Sequence, residues 1–165
     1  GIILLGMLSS ITANAFPEDR DQPIYVTADT ATINDNTGIT TYTGNVIVKQ
    51  GSLLIEAAHV DIYRVDGEMD KLIAKGQLAH FRQQPKENAP FSDGWGLHMI
   101  YMMDDQMLTI TGDAKVIQDK DTFTGKKIVY DIDRSIVNAF GRDKGDSGDG
   151  RVNMVIQPKK AKTTP

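Results

Sequence analysis

From Pro23 onward, hydrophobic positions alternate with polar ones, and runs of Val, Ile, Thr and Tyr are broken by Gly, Asn and Asp. Alternation with a period of two predicts strands with one face turned inward, and no helical periodicity competes with it. The stretches "IYVTADTATIND", "TTYTGNVIVKQ", "SLLIEAAHVDIYRV", "KLIAKGQLAHF", "LHMIYMMDDQMLTITG", "DTFTGKKIVYDID" and "SIVNAFG" all read as strands with turns between them. Asp104-Asp105 falls where a hairpin turn is needed, and turn chemistry accounts for both residues. The segment from Gln83 to Gly96, "QQPKENAPFSDGWG", contains two prolines and several turn-formers, and it predicts a loop between two halves of the protein.

The alternation repeats at a longer scale. "TYTGNVIVKQ" at Thr41–Gln50 is echoed by "TITGDAKVIQ" at Thr109–Gln118. Gly44, Gly76, Gly112 and Gly141 each close a similar unit. Mostly apolar residues stand two and four positions before each of them, and the pairs Ala31/Ile33, Val60/Ile62, Met99/Tyr101 and Ile128/Tyr130 lie further upstream. About four strand–turn–strand–Gly units follow. None can bury its apolar face alone, so the copies must stack around a shared core. The glycines suit bulges or sharp bends where strands turn a corner. Two layers of strands folded over one another, as a jelly roll or flattened solenoid, satisfy the pattern; a closed barrel is the alternative.

Repetition along one axis leaves two edges. The first lies near Ile24–Ala28, where Tyr25 and Val26 are the exposed candidates; the last is "VNMVIQ", with Val152, Met154, Val155 and Ile156. Neither carries proline or dense charge inside the strand, although Pro23 precedes the first and Pro158, Lys159 and Lys160 follow the last. Unshielded edges pair with another strand. Joining one molecule's last strand to the next molecule's first would build a filament, because that contact does not close.

Composition changes the picture at the ends of the chain. "GIILLGMLSS" is uncharged and apolar, and Ala13-Asn14-Ala15 fits the small-x-small rule of a signal-peptidase site. The run is shorter than the ~20 residues that span a bilayer. Residues 1–15 are therefore expected to be a truncated signal peptide, and export to the periplasm is expected with it. A buried first helix or strand is the other reading. Residues 16–158 then form one domain, and residues 159–165, the end of "PKKAKTTP", a disordered tail. The net charge of −4 across 165 residues, with both signs interspersed, leaves no footprint for nucleic acid. The absence of cysteine excludes disulfides and thiolate metal sites.

Candidate chemistry is sparse. His59, His80 and His98 lack metal-ligand spacing and read as surface or satisfied side chains. There is no G-x-S-x-G elbow, H-E-x-x-H or phosphate loop. Asp143, Asp146 and Asp149 recur every third residue, not at the alternate positions of a calcium loop, so "GRDKGDSGDG" reads as a flexible acidic loop. Hydrolysis of a glycan needs paired carboxylates; Glu56 and Asp61 are the nearest candidates, and nothing sets them opposite one another. No enzyme, metal or cofactor is expected. The most informative side chains are apolar: Met99, Tyr101, Met103, Met107, Leu108 and Ile110 form a Met-rich, strand-spaced cluster. It suits either core packing or an adaptable greasy partner held between layers.

"DQPIYVTAD", "TYTGNVIVKQG", "TITGDAKVIQ" and "VNAFG" with "DKG" together resemble the OstA-like family of periplasmic lipopolysaccharide-transport proteins, across essentially all of residues 21–158. The chain departs from the more familiar enterobacterial pattern in the acidic loop at 145–150 and in the central loop with Trp95. The resemblance implies an open, twisted antiparallel β-jelly roll that holds the lipid A part of lipopolysaccharide between two sheets. It also implies a head-to-tail bridge from an inner-membrane complex, through LptC and LptF, to LptD at the outer membrane. By matching motifs, the groove positions implied are Ile24, Val26, Ile33, Phe81 and Tyr101. Inward alternation adds Val48, Ile55, Met103 and Ile110. A periplasmic chaperone or structural module that captures strands of other proteins is the reading of a different class.

Overall fold

The computed structural model describes residues 19–141 and 150–158. The apolar leader, most of the acidic loop and the basic tail, on which three of the expectations above fall, lie outside the described residues.

Among the described residues ten strands follow a short 3-10 turn at Asp19–Asp21. They are β1 (Tyr25–Thr27), β2 (Thr30–Asn34), β3 (Ile39–Gln50), β4 (Leu53–Val65), β5 (Glu68–Gln83), β6 (Ser92–Met102), β7 (Met107–Gln118), β8 (Asp121–Asp131), β9 (Ile136–Phe140) and β10 (Asn153–Val155). All pairings are antiparallel, and β3 through β8 pair in sequence order. The ends are split. β1 pairs with residues 47–49 of β3 and β2 with residues 39–43; likewise β10 pairs with residues 122–124 of β8 and β9 with residues 127–131. Among the described residues nothing joins the β1/β2 end to the β9/β10 end, so their sheet is not a closed barrel.

Five consecutive ladders break register at mid-strand, between Thr43 and Val46, Glu56 and His59, Lys75 and Ala79, Trp95 and His98, and Thr111 and Ala114. These bulges line up into a crease, because an extra residue bends its strand and sharpens the local twist. Phe81 and Tyr101 show that the sheet folds over there. Phe81 pairs with Gly94 and Tyr101 lies seven residues further along β6, which is ~23 Å on a straight strand. Their ring centroids are nonetheless 5.6 Å apart. The single hydrogen-bonded sheet is thus two facing leaves. Leaf 1 holds β1, β10 and the halves of β3–β8 that pair with them; leaf 2 holds β2, β9 and the remaining halves.

The creasing glycines behave as their pattern suggested. Gly44 and Gly112 adopt φ of 85° and 82°, followed by Asn45 and Asp113 at 45° and 47°. Such left-handed values suit Gly, Asn and Asp far better than other residues. Gly141 differs: it follows β9 rather than sitting at the crease. Two further expectations are corrected. The loop expected from Gln83 to Gly96 spans only residues 84–91, since Ser92–Gly96 begin β6, and it does not divide the protein into halves. Gly94 and Gly96 mark close packing, not a turn: a Cβ on either would strike the Ile110 side chain of leaf 2. The last strand covers Asn153–Val155 within the longer apolar run.

Candidate functional site

Register defines the site. Directly paired residues of an antiparallel sheet point to the same face, so rows can be traced from edge to edge. In leaf 1 one inward row runs Val26, Val48, Ile55, Phe81, Gly94, Val116, Phe123, Met154. Facing it in leaf 2 is the row Ile33, Thr40, Ile62, Leu72, Tyr101, Leu108, Tyr130, Val137. Each crosses eight strands, ~34 Å at the usual strand spacing.

The rows beside them explain the wedge shape between the leaves. Near the crease leaf 1 presents Val46, Ala57, Ala79, Gly96, Ala114 and Gly125, all small enough for close approach. Away from the crease the gap widens, and Phe81, Tyr101, Leu108 and Tyr130 fill it. At the lip of leaf 1 most inward residues are polar: Gln50, Gln83 and Ser92 are buried there beside Leu53, and Gln118 pairs with Ser92.

The two tyrosines reach from leaf 2 to that lip. Tyr130 and Ser92 exchange a hydrogen bond between hydroxyls, 2.9 Å apart and fully buried. Burial raises the Tyr130 phenol above its ordinary value, opposed by hydrogen bonds to Ser92 and Gln118. Tyr101 is pushed up to about 12, chiefly by burial, with the nearby Asp19 carboxylate adding and the Gln83 carboxamide opposing. Asp19 itself accepts from the Ser52 amide (2.8 Å), the Ser52 hydroxyl (2.7 Å) and Gln83 Nε2 (2.7 Å).

The residues expected to line a groove divide by position along these rows. Val48, Ile55, Phe81, Tyr101, Met103 and Ile110 lie packed in the interior. Val26 is half-buried at the first edge; Ile24, just before it, and Ile33, 67% exposed, stand open to solvent there. Tyr25, Val152, Met154, Val155 and Ile156 are exposed at the two ends. Sequence reasoning named Leu108 only within the Met-rich cluster and did not place Ile62, Leu72, Val116, Phe123 and Tyr130 in the groove. Their alternation was visible, and only the register shows that they continue the same rows.

The outer faces carry satisfied polar side chains. His59 contacts Asp61 (3.1 Å), which accepts from Thr41 (2.7 Å). His80 contacts Asp93 (2.8 Å) and stacks on Trp95 with centroids 4.8 Å apart. Glu56 and Asp61 belong to different leaves, on opposite sides of the crease, so they make no carboxylate pair. Among the described residues no group of three His, Asp or Glu could hold a metal ion.

These features define an open-ended β-jelly roll whose candidate site is its apolar interior, with inward rows running from one free edge to the other. The chain belongs to the family described as LptA/(LptD N-terminal domain) LPS transport protein, whose model matches residues 25–136. It is 39% identical over 161 residues to the lipopolysaccharide export system protein LptH of Pseudomonas aeruginosa, covering 95% of this chain and 91% of that protein. It is 33% identical over 154 residues to the lipopolysaccharide export system protein LptA of Escherichia coli K12, covering 92% and 80%. The crystal structure of Pseudomonas aeruginosa LptH, described as the periplasmic component of the lipopolysaccharide transport device, superposes with a TM-score of 0.78 at 38% identity. That match covers 86% of this chain and all of the other.

Proposed function

We propose that this protein is a periplasmic carrier of lipopolysaccharide, exported by a cleaved signal peptide, that shields lipid A acyl chains between its leaves. No catalytic group is involved. The observation that carries the reading is the pair of inward rows, which run the whole length of the molecule and emerge at both ends. Val26 and Ile33 stand at one end, Met154 and Val137 at the other. Each methylene removed from water contributes ~0.8 kcal/mol gross, which by itself would trap the lipid. Movement between like grooves is nearly neutral in free energy, so a row of copies joined edge to edge moves lipid without exposing it. Loading by LptC and LptF at the inner membrane and delivery to LptD at the outer membrane would set the direction.

The interior is packed in this structure, so cargo must part the leaves and displace Tyr101 and its neighbours. A test of the track therefore belongs at its exposed mouth. Ile33→Asp keeps the fold, because Ile33 is largely solvated, and it is expected to weaken lipopolysaccharide binding at least tenfold in a direct binding measurement. Binding equal to wild type would sink the assignment. Removing residues 151–158 is expected to abolish concentration-dependent oligomers in light scattering while lipid binding remains. Capture of extended peptides without lipid would instead mark a strand-binding chaperone.

A further inference from the structure

The long side of the wedge, away from the crease, carries a line of polar contacts set among the buried Leu53, Met103 and Ile132. Tyr130 of leaf 2 meets Ser92 and Gln118 of leaf 1. Tyr101 meets Gln83. Outside them lies a strap, the 3-10 turn at Asp19–Asp21, whose first carboxylate ties the β3–β4 turn at Ser52 to the end of β5 at Gln83. Gln50 Nε2 adds a bond to the strap's Gln22 carbonyl (3.1 Å). The strap sits tight, since a Cβ on Gly51 would strike Asp19.

A closed core would not ordinarily place polar groups there. Phenylalanine in place of either tyrosine, with leucine at Gln83, would seal the same gap with apolar contact. The seam also closes imperfectly: Gln83 is 4% exposed, yet its Oε1 is buried without a hydrogen-bond partner. A buried, unsatisfied carbonyl costs free energy that hydration on opening would recover. Hydrogen bonds at a lip are exchangeable for bonds to water or to a ligand, whereas a sealed apolar contact would have to be broken outright.

From this we infer that the Tyr101–Gln83, Tyr130–Ser92 and Asp19–Ser52 contacts form a latch along the side of the molecule. It opens to admit an amphiphile sideways, so that the chains enter while the charged head stays outside the lip. The inference rests on the carrier reading and extends it, because entry through a free edge alone would leave the latch no role. Loading through the side lets a monomer take up cargo without first joining a neighbour.

Each hydrogen bond removed should raise the population of the open form about fivefold. Fluorescently labelled lipopolysaccharide is mixed in stopped flow with the full chain carrying Tyr130→Phe, Ser92→Ala or Asp19→Ala. The association rate constant is expected to rise roughly three- to tenfold for each single change and further for Tyr130→Phe with Asp19→Ala. Backbone amide exchange near Ser92 and Ser52 should accelerate in parallel in the lipid-free protein. Should Tyr130→Phe fail to fold, Asp19→Ala carries the test, because the strap lies outside the core. Association at the wild-type rate in every variant overturns the latch and leaves the carrier reading standing. Failure of wild type and variants alike to bind lipopolysaccharide overturns both.

Discussion

β3 and β7 carry the same sentence, and the molecule uses it in two different settings. Both bend at a glycine with φ above 80° followed by a left-handed Asn or Asp. Both then return to inward alternation, Val46 and Val48 in one, Ala114 and Val116 in the other. β7 lies between β6 and β8, two strands that cross the crease with it. β3 has such a neighbour only in β4; on its other side β1 and β2 stop short of the crease, and the Asp29 amide bonds to the Gly44 carbonyl between them (2.9 Å). The identical bend is therefore clamped from both sides in the middle of the sheet and from one side at its end. Local sequence makes the bend, and position in the sheet decides how much depends on it.

Alanine at the two creasing glycines separates those contributions most sharply. At Gly112 the new Cβ meets a left-handed backbone and the Leu97 side chain at 2.9 Å, with continuous strands on both sides to resist a shift. Backbone strain and overpacking together should cost about 2–4 kcal/mol. At Gly44 the backbone strain is the same, but the obstacle is Asp29, an exposed residue between two short edge strands. There the cost should be about 1–2 kcal/mol. Urea titrations at unchanged slope would measure the difference. Equal costs would show that the neighbours contribute nothing.

How far the sequence revealed this depends on the range of the interaction. Alternation within each strand and the glycine-marked corners are local, so the all-β class, the layered arrangement and most core residues were readable. In β4 the change of phase is itself written in the chain: Leu53 and Ile55 face inward, then Val60 and Ile62. Contacts between leaves are not local. Gly94 and Gly96 resembled loop residues because the side chain that fills their space, Ile110, comes from the other leaf. Gln83 and Ser92 resembled loop residues because polar side chains ordinarily face water, and their partners, Asp19 and Tyr130, are distant in sequence. The rows that make up the candidate track needed strand register, which depends on every bulge and turn together.

The same contrast between middle and end has a pH signature. The buried tyrosines among the described residues divide along it: Tyr101 lies on β6 in the continuous middle, and Tyr130 on β8, which borders the short strands β9 and β10 as β3 borders β1 and β2. Tyr101 ionises near 12 when folded, against 10.0 for the ordinary phenol. The folded state holds the proton more tightly, so this contribution to stability is complete below pH 10 and is lost as pH rises towards about 12. The unfolding free energy should fall by about 2–3 kcal/mol across that window. Tyr101→Phe should flatten most of the fall and leave a smaller part from Tyr130. Denaturant midpoints at several alkaline pH values would check this. A variant that kept the whole alkaline limb would place the loss elsewhere.

The smallest effect concerns the residue after each glycine. Asn45 at φ 45° and Asp113 at φ 47° hold nearly the same backbone conformation, which Asn and Asp tolerate at modest cost. Glycine there would relieve that strain but enlarge the entropy of the unfolded chain. The two terms nearly cancel, so Asn45→Gly and Asp113→Gly should each lie within about 0.5 kcal/mol of wild type. They should also match one another, because the balance is local and owes nothing to neighbouring strands. That equality is what the glycine pair should lack. If Asp113→Gly cost over about 1 kcal/mol more than Asn45→Gly, the bend itself would be sustained by the surrounding sheet, and the repeated sentence would no longer explain it.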